Sequence, residues 1–178
     1  MRSIKFSLKS LVINALICAL YFLLSLIGGN FAFSGLTIQL RFSELLNLLI
    51  FFNPSYILGV TLGCFLTNLL SMYGILDLII GTLATLISGI FIIIFSKFKK
   101  LWLVSIFPII INAFIVPFVI VIYSDFKDFF ISYSLYFINI LIGEFISILI
   151  GYIILMILRK SKTFLSLING SRNLDFRC

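Results

Sequence analysis

The chain has 178 residues, of which 62% are hydrophobic and 11% are charged, with a net charge of +7 and a mean hydropathy of +1.29. An ordinary soluble domain is roughly half apolar, so this composition excludes that class and indicates an integral membrane protein. The chain has no histidine, which removes the commonest metal ligand and general base. Its apolar runs are continuous rather than alternating, which favours helices over a barrel. We therefore predict an all-α membrane protein.

Six apolar segments follow one another along the chain. The second and third are separated by Asn53-Pro54-Ser55, a turn signal that also stops a helix. Both are shorter than the roughly 20 residues that a bilayer core requires. The pair must therefore tilt, thin the membrane or lie behind longer neighbours. The predicted segments are 10–27, 43–52, 56–70, 75–95, 101–123 and 129–158.

The distribution of lysine and arginine predicts the topology, because both accumulate on the cytoplasmic side of membrane spans. They cluster at residues 2–9, 97–100 and 159–177, which leaves only Arg41 and Lys127 elsewhere. A single crossing between the first and fourth segments would place the 97–100 loop outside, so two crossings or none are required there. Six crossings with both termini cytoplasmic satisfy the rule.

We accordingly predict a multi-pass protein of the bacterial cell membrane. It would consist of one six-helix domain over residues 1–162 and a short cytoplasmic tail over residues 163–178.

Arg41 and Glu44 lie three residues apart where the second segment begins. Ionisable groups at membrane depth are costly, and by default they mark a ligand, ion or proton site. The alternative is an ion pair just outside the lipid that only pins a helix end. The predicted topology places this pair at the outer membrane surface, at the same level as Asn68 and Asp77.

The other polar side chains can be explained either by ligand binding or by a structural role. Asparagines such as Asn68 and Asn112 can be interhelical hydrogen-bond partners, and Asp77 can cap a helix. Glu144 is harder to explain structurally, since a carboxylate in the middle of a span must be protonated, paired or facing water. Tyr136 lies on the same face of the sixth helix as Glu144. It either lines a path to that acid or only packs against neighbouring helices. The predicted substrate-binding residues are Gln39, Arg41, Glu44, Asn68, Asp77, Asn112, Tyr136, Asn139 and Glu144.

Three seams of small residues permit close helix approach. Gly59-xxx-Gly63-xxx-Thr67 and Gly81-xxx-Thr85-xxx-Gly89 are interpreted as internal packing. Ala15-xxx-Ala19, on the first segment, either packs internally or docks another membrane protein.

Several of these motifs resemble the QueT family. They are Gln39-Leu40-Arg41-Phe42-Ser43-Glu44, Gly59-Val60-Thr61-Leu62-Gly63-Cys64, Gly81-Thr82-Leu83-Ala84-Thr85-Leu86 and Ile142-Gly143-Glu144. The resemblance extends from the first segment to the sixth. It implies a six-helix substrate-binding (S) component of an energy-coupling factor (ECF) transporter, which captures a queuosine precursor from outside.

Such a component is not an enzyme and needs no cofactor. It works with a membrane coupling subunit and two ATPase subunits, which supply ATP hydrolysis. The resemblance also implies that Ala15 and Ala19 contact the coupling subunit.

The implied ligand suits these residues chemically. A 7-aminomethyl-7-deazaguanine carries a guanine-type N1–H and amine, which a carboxylate accepts as a bidentate pair, and an ammonium that needs a second carboxylate. Glu44, Asp77 and Glu144 supply acids for both. Two alternatives stay open: an S component for another small ring compound, and an intramembrane enzyme using Glu44 and Glu144. The lack of histidine and of metal-ligand clusters argues against the enzyme.

Overall fold

The computed structural model describes residues 8–29, 40–123, 128–162, 164 and 166. These residues form helices and turns, with no strand among them, which confirms the all-α prediction. Five α-helices and one long 3₁₀ helix succeed one another within the described part of the chain. They are α1 (Leu8–Gly29), the 3₁₀ helix Phe42–Phe51, α2 (Ile57–Asn68), α3 (Gly74–Phe98), α4 (Leu101–Tyr123) and α5 (Phe129–Leu158).

Four of these helices, α1, α3, α4 and α5, are long and apolar enough to cross a membrane. The other two are short, as the sequence predicts. At about 2.0 Å per residue the 3₁₀ helix is about 20 Å long, and α2 is about 18 Å long at 1.5 Å per residue. Neither reaches the roughly 30 Å thickness of a bilayer core.

The 3₁₀ helix lies at the centre of the bundle. It packs against all five α-helices, and seven of its ten residues are buried. Leu48 and Ile50 are both 0% exposed. Of the three arrangements expected for a short segment, this helix therefore adopts the third, because longer helices separate it from the lipid.

Glycines set how closely the helices approach. A Cβ added at Gly59 would lie 2.6 Å from the carbonyl oxygen of Asn14, and one added at Gly63 would lie 2.6 Å from Cβ of Tyr21. Lipid tails are as apolar as leucine, so such close packing rather than hydrophobic burial holds membrane helices together. The seams on α2 and α3 pack internally, as predicted.

The start of α1 lies beside the segment that follows α5. Lys9 at the start of α1 donates to the carbonyl oxygen of Ser166 at 3.2 Å. The Ser10 and Ser55 hydroxyls lie 3.0 Å apart, which brings the turn after the 3₁₀ helix to the same end. Leu101, at the start of α4, and Leu155, near the end of α5, both belong to the main core cluster. That this end faces the cytoplasm, with both termini, stays a prediction.

Candidate ligand-binding site

The 3₁₀ helix begins near the middle of the bundle rather than at its surface. Its residue Glu44 contacts Tyr21, which lies about 12 Å before the end of α1. Arg41 faces Glu144, which lies about 22 Å from the start of α5 and about 21 Å from its end. The prediction that Arg41 and Glu44 lie at the outer surface was therefore wrong. A buried helix surrounded by longer ones has no need to start at the membrane boundary.

Arg41 lies between two buried carboxylates. Its Nη2 is 3.8 Å from Oε1 of Glu44, and its Nη1 is 3.9 Å from Oε1 of Glu144. Both glutamate side chains are 0% exposed, whereas that of Arg41 is 19% exposed. Arg41, Glu44 and Glu144 thus form a charged centre, referred to below as the centre, in which one guanidinium faces two buried acids.

Glu44 is well supplied with donors. The Tyr21 hydroxyl donates to Oε1 at 2.6 Å, the Asn47 amide donates to Oε2, and the Thr85 hydroxyl donates to Oε1 at 3.3 Å. These bonds, together with Arg41, compensate the burial of this carboxylate as a charge. Glu44 is therefore held in one orientation by three different helices.

Glu144 has no such support. Within the described part of the chain, neither of its carboxyl oxygens has a hydrogen-bond partner. Asn112 on α4 lies beside it, but neither atom of that amide is hydrogen-bonded either. Nη1 of Arg41 and Oδ1 of Asn47 are also unpartnered among the described residues.

Buried polar atoms are hydrogen-bonded in the great majority of cases, and each one left unpaired costs about 1–3 kcal/mol. Here such atoms are concentrated around a single guanidinium. The arrangement is typical of a site that binds a polar ligand offering both donors and acceptors.

Asn68 and Asp77 form a separate polar cluster. Oδ2 of Asp77 accepts from the Ser71 hydroxyl at 2.5 Å, and the Asn68 amide donates to the backbone carbonyl of Asp77 at 3.2 Å. Asp77 lies about 12 Å from Thr85 along α3, toward the end away from the lysines. The structure therefore does not bring this third acid to Arg41.

A chain of polar contacts joins the two clusters. The Asn68 amide donates to Sγ of Cys64 at 3.4 Å. That sulfur lies 3.2 Å from the Thr85 hydroxyl, which contacts Glu44. Asn68 is thus tied to the centre indirectly, through α2 and α3.

The remaining predicted residues lie farther from the centre. Tyr136 is about 12 Å from Glu144 along α5, and Asn139 is partly exposed on the same helix. Gln39 lies outside the described residues. Tyr136 packs with Tyr73 against an apolar cluster of α4 and α5, formed by Val116, Ile120 and Ile140.

Sequence reasoning missed three of the residues that hold Glu44. Asn47 follows Glu44 by three residues, and this spacing was available as a signal. Thr85 was noticed only as a member of a small-residue seam. Tyr21 carried no signal, because it is one of seven tyrosines in a chain that also has 21 phenylalanines.

Comparison with known proteins identifies the family. The family model described as QueT transporter matches residues 11–160. This chain belongs to the QueT transporter family. The queuosine precursor transporter QueT of Lactococcus lactis subsp. cremoris (strain MG1363) is 41% identical over 91 residues, which cover 51% of this chain and 53% of that protein. The aligned region thus spans about half the length of the relative. No solved structure matches the chain.

Membership in the QueT family confirms the resemblance found in the motifs. The matched family and the relative are transporters rather than enzymes. With its four helices of membrane-spanning length, the chain is a multi-pass protein of the bacterial membrane. Among the described residues, no three side chains of cysteine, aspartate or glutamate are grouped as metal ligands would be.

Proposed function

We propose that this chain is the substrate-binding subunit of an ECF-type transporter, and that it binds a queuosine precursor such as 7-aminomethyl-7-deazaguanine. ATP hydrolysis is supplied by partner subunits. One observation carries the proposal: buried side-chain atoms without a hydrogen-bond partner occur on Arg41, Asn47, Asn112 and Glu144, which all belong to or adjoin the charged centre. The name of the Lactococcus relative supports the choice of ligand.

The ligand matches the unpartnered atoms in kind. A deazaguanine ring presents an N1–H and an exocyclic amine as donors, which the unpartnered oxygens of Asn47 and Asn112 can accept, and its aminomethyl ammonium can pair with the Glu144 carboxylate. Its O6 accepts from a donor such as the Asn112 amide or Nη1 of Arg41. The aminomethyl group brings a positive charge to a centre that has two acids for one arginine.

We propose different roles for the predicted site residues. Arg41, Asn112 and Glu144 bind the ligand directly, while Glu44 positions Arg41. Tyr136 and Asn139, nearer the start of α5, are proposed to line the approach, and Gln39 stays a prediction. Asn68 and Asp77 fasten α2 to α3, and we assign them no direct contact with the ligand.

The proposed partner surface lies on α1 and α2. A groove of about 560 Å³ runs between these helices, and both Ala15 and Ala19 are exposed along it. Small residues one turn apart let a helix of another protein approach closely. The QueT motifs support a coupling subunit as the occupant. The groove is lined by Leu11, Asn14, Ala15, Cys18, Ala19, Phe22, Leu58, Leu62 and Leu66.

Ligand binding is tested by titration calorimetry on the purified protein in detergent. We expect 7-aminomethyl-7-deazaguanine to bind more tightly than guanine or an unrelated vitamin ring. Glu144→Gln should weaken binding by about 10- to 150-fold, because charge-assisted hydrogen bonds contribute about 1.5–3 kcal/mol. Asp128→Asn removes an exposed acid before α5 and serves as the control. Equal affinity for all three compounds, or an unchanged Glu144→Gln variant, would contradict the proposal.

Partner docking is tested separately by co-purification with the coupling subunit. Ala15→Trp should abolish the complex while leaving deazapurine binding intact, since the bulky ring fills the groove. Leu20→Trp, on another exposed face of α1, should leave the complex unchanged. If both variants assemble equally well, this groove is not the docking surface.

A further inference from the structure

The two acids facing Arg41 have unequal surroundings. Glu44 accepts hydrogen bonds from Tyr21, Asn47 and Thr85, whereas Glu144 accepts none from the described residues. Both are 0% exposed. A single guanidinium supplies one positive charge for the two. A buried charge without a partner of its own is strongly destabilising, so the acid with the weaker support is the one expected to be neutral.

We propose that Glu144 carries a proton, and that a cationic ligand displaces it. This inference rests on the proposed function and deepens it. In the bound state the ligand's ammonium takes over the role of the proton. Glu144 then becomes a carboxylate paired with the amine, and one proton passes to solvent for each ligand bound. A neutral ligand of the same shape binds to protonated Glu144 and releases no proton.

The charged groups around Glu144 fit this exchange. Among the described residues, Arg41 is the cation that pairs with Glu144, at 3.9 Å, and it also pairs with Glu44. Asn112 offers an amide, which interacts equally well with a carboxyl or a carboxylate. The Tyr21 hydroxyl donates to Glu44, and Cys64 contacts Thr85 beside that acid; neither is hydrogen-bonded to Glu144. The net charge of the centre therefore stays at zero before and after the cation binds, which avoids an uncompensated charge at mid-depth.

Two ligands that differ in charge but not in ring structure show whether binding displaces a proton from Glu144. The 7-aminomethyl compound is cationic at neutral pH, as alkylamines such as lysine are, and 7-cyano-7-deazaguanine is neutral. Calorimetry in buffers of different ionisation enthalpy measures the protons released per ligand. We expect one proton for the amine and none for the nitrile. The affinity for the amine should rise about tenfold per pH unit while Glu144 stays protonated, and that for the nitrile should stay constant.

Glu144→Gln mimics the protonated acid and should affect the binding of the two ligands differently. The amine should lose proton release and bind about 10- to 150-fold more weakly. The nitrile should lose much less affinity than the amine, because glutamine keeps a neutral donor and acceptor at this position. Infrared difference spectra of the unaltered chain provide a second readout, since the amine should abolish a protonated-carboxyl C=O band. Both measurements use the full-length protein.

The outcomes separate the two proposals. Amine binding without proton release, or with the carboxyl band intact, overturns the inference and leaves the proposed function standing. If neither deazapurine binds, both proposals are overturned. Proton release that persists in Glu144→Gln assigns the proton to another group and also overturns the inference.

Discussion

Replacing Asn112 with leucine separates an asparagine that binds ligand from one that holds helices together. Asn112 is 0% exposed, and neither atom of its amide is hydrogen-bonded within the described part of the chain. Leucine has the same number of side-chain heavy atoms in the same branched arrangement and leaves no polar atom unpaired. Because a buried unpaired amide costs about 1–3 kcal/mol, we expect Asn112→Leu to stabilise the fold by about that amount and to lose the ligand.

The assay is thermal unfolding in detergent, with and without the aminomethyl deazapurine. For a chain of this size, 1 kcal/mol corresponds to about 2–4 °C in Tm, so Asn112→Leu should raise Tm by about 2–12 °C. The ligand-induced increase in Tm should disappear. A decrease in Tm with ligand binding retained would show that Asn112 is an interhelical hydrogen-bond residue, which is the alternative that the sequence leaves open.

Asn14 provides the matched control. Its amide nitrogen donates to the carbonyl of Ser10 at 2.8 Å, and its oxygen accepts from the Gly59 N–H at 2.8 Å. Asn14→Leu leaves that N–H unpaired between α1 and α2, so the variant should be less stable by about 1–3 kcal/mol. The same substitution should thus change stability in opposite directions at the two positions.

Two further predictions concern the residues that support the site. Gly63→Ala places a Cβ 2.6 Å from Cβ of Tyr21, which should separate α1 from α2 and move the tyrosine away from Glu44. Both Tm and ligand affinity should therefore fall, and a normal Tm in thermal unfolding would show that the seam tolerates a methyl group. Ser71→Ala removes the donor to Asp77, so calorimetry should show unchanged ligand affinity beside a slightly lower Tm, and a large loss of affinity would return this acid to the binding site.

The sequence predicts well those features that follow from the high free-energy cost of leaving a polar group unpaired in lipid. Continuous apolar runs give the six helices, because backbone polar groups must be paired within a segment. Glu144 stands out for a similar reason, since an acid in the middle of a span needs a partner. The Arg41 and Glu44 pair was recognised on the same grounds, and the structure adds that it meets Glu144.

Depth and contact partners were beyond sequence reasoning. The positive-inside rule orders segment ends but assumes that each segment starts at a membrane boundary. The 3₁₀ helix starts in the middle of the bundle, so Arg41 lies deeper than its place in the chain indicates. The separation of Asp77 from the other two acids likewise depends on how α2 meets α3. That contact forms through the Ser71 hydroxyl and the Asn68 amide, which have no periodic signature.

The 3₁₀ geometry of Phe42–Phe51 determines the position of the Arg41 guanidinium along the bundle axis. Ten residues rise about 20 Å in 3₁₀ geometry but only about 15 Å as an α-helix. The lower end of this segment is anchored, since Phe51 and Phe52 are each 1% exposed in the core. Relaxation to the wider coil would therefore lower Arg41 by about 5 Å and withdraw it from Glu144. The extended 3₁₀ segment therefore keeps the guanidinium of Arg41, the residue that precedes it, level with Glu144.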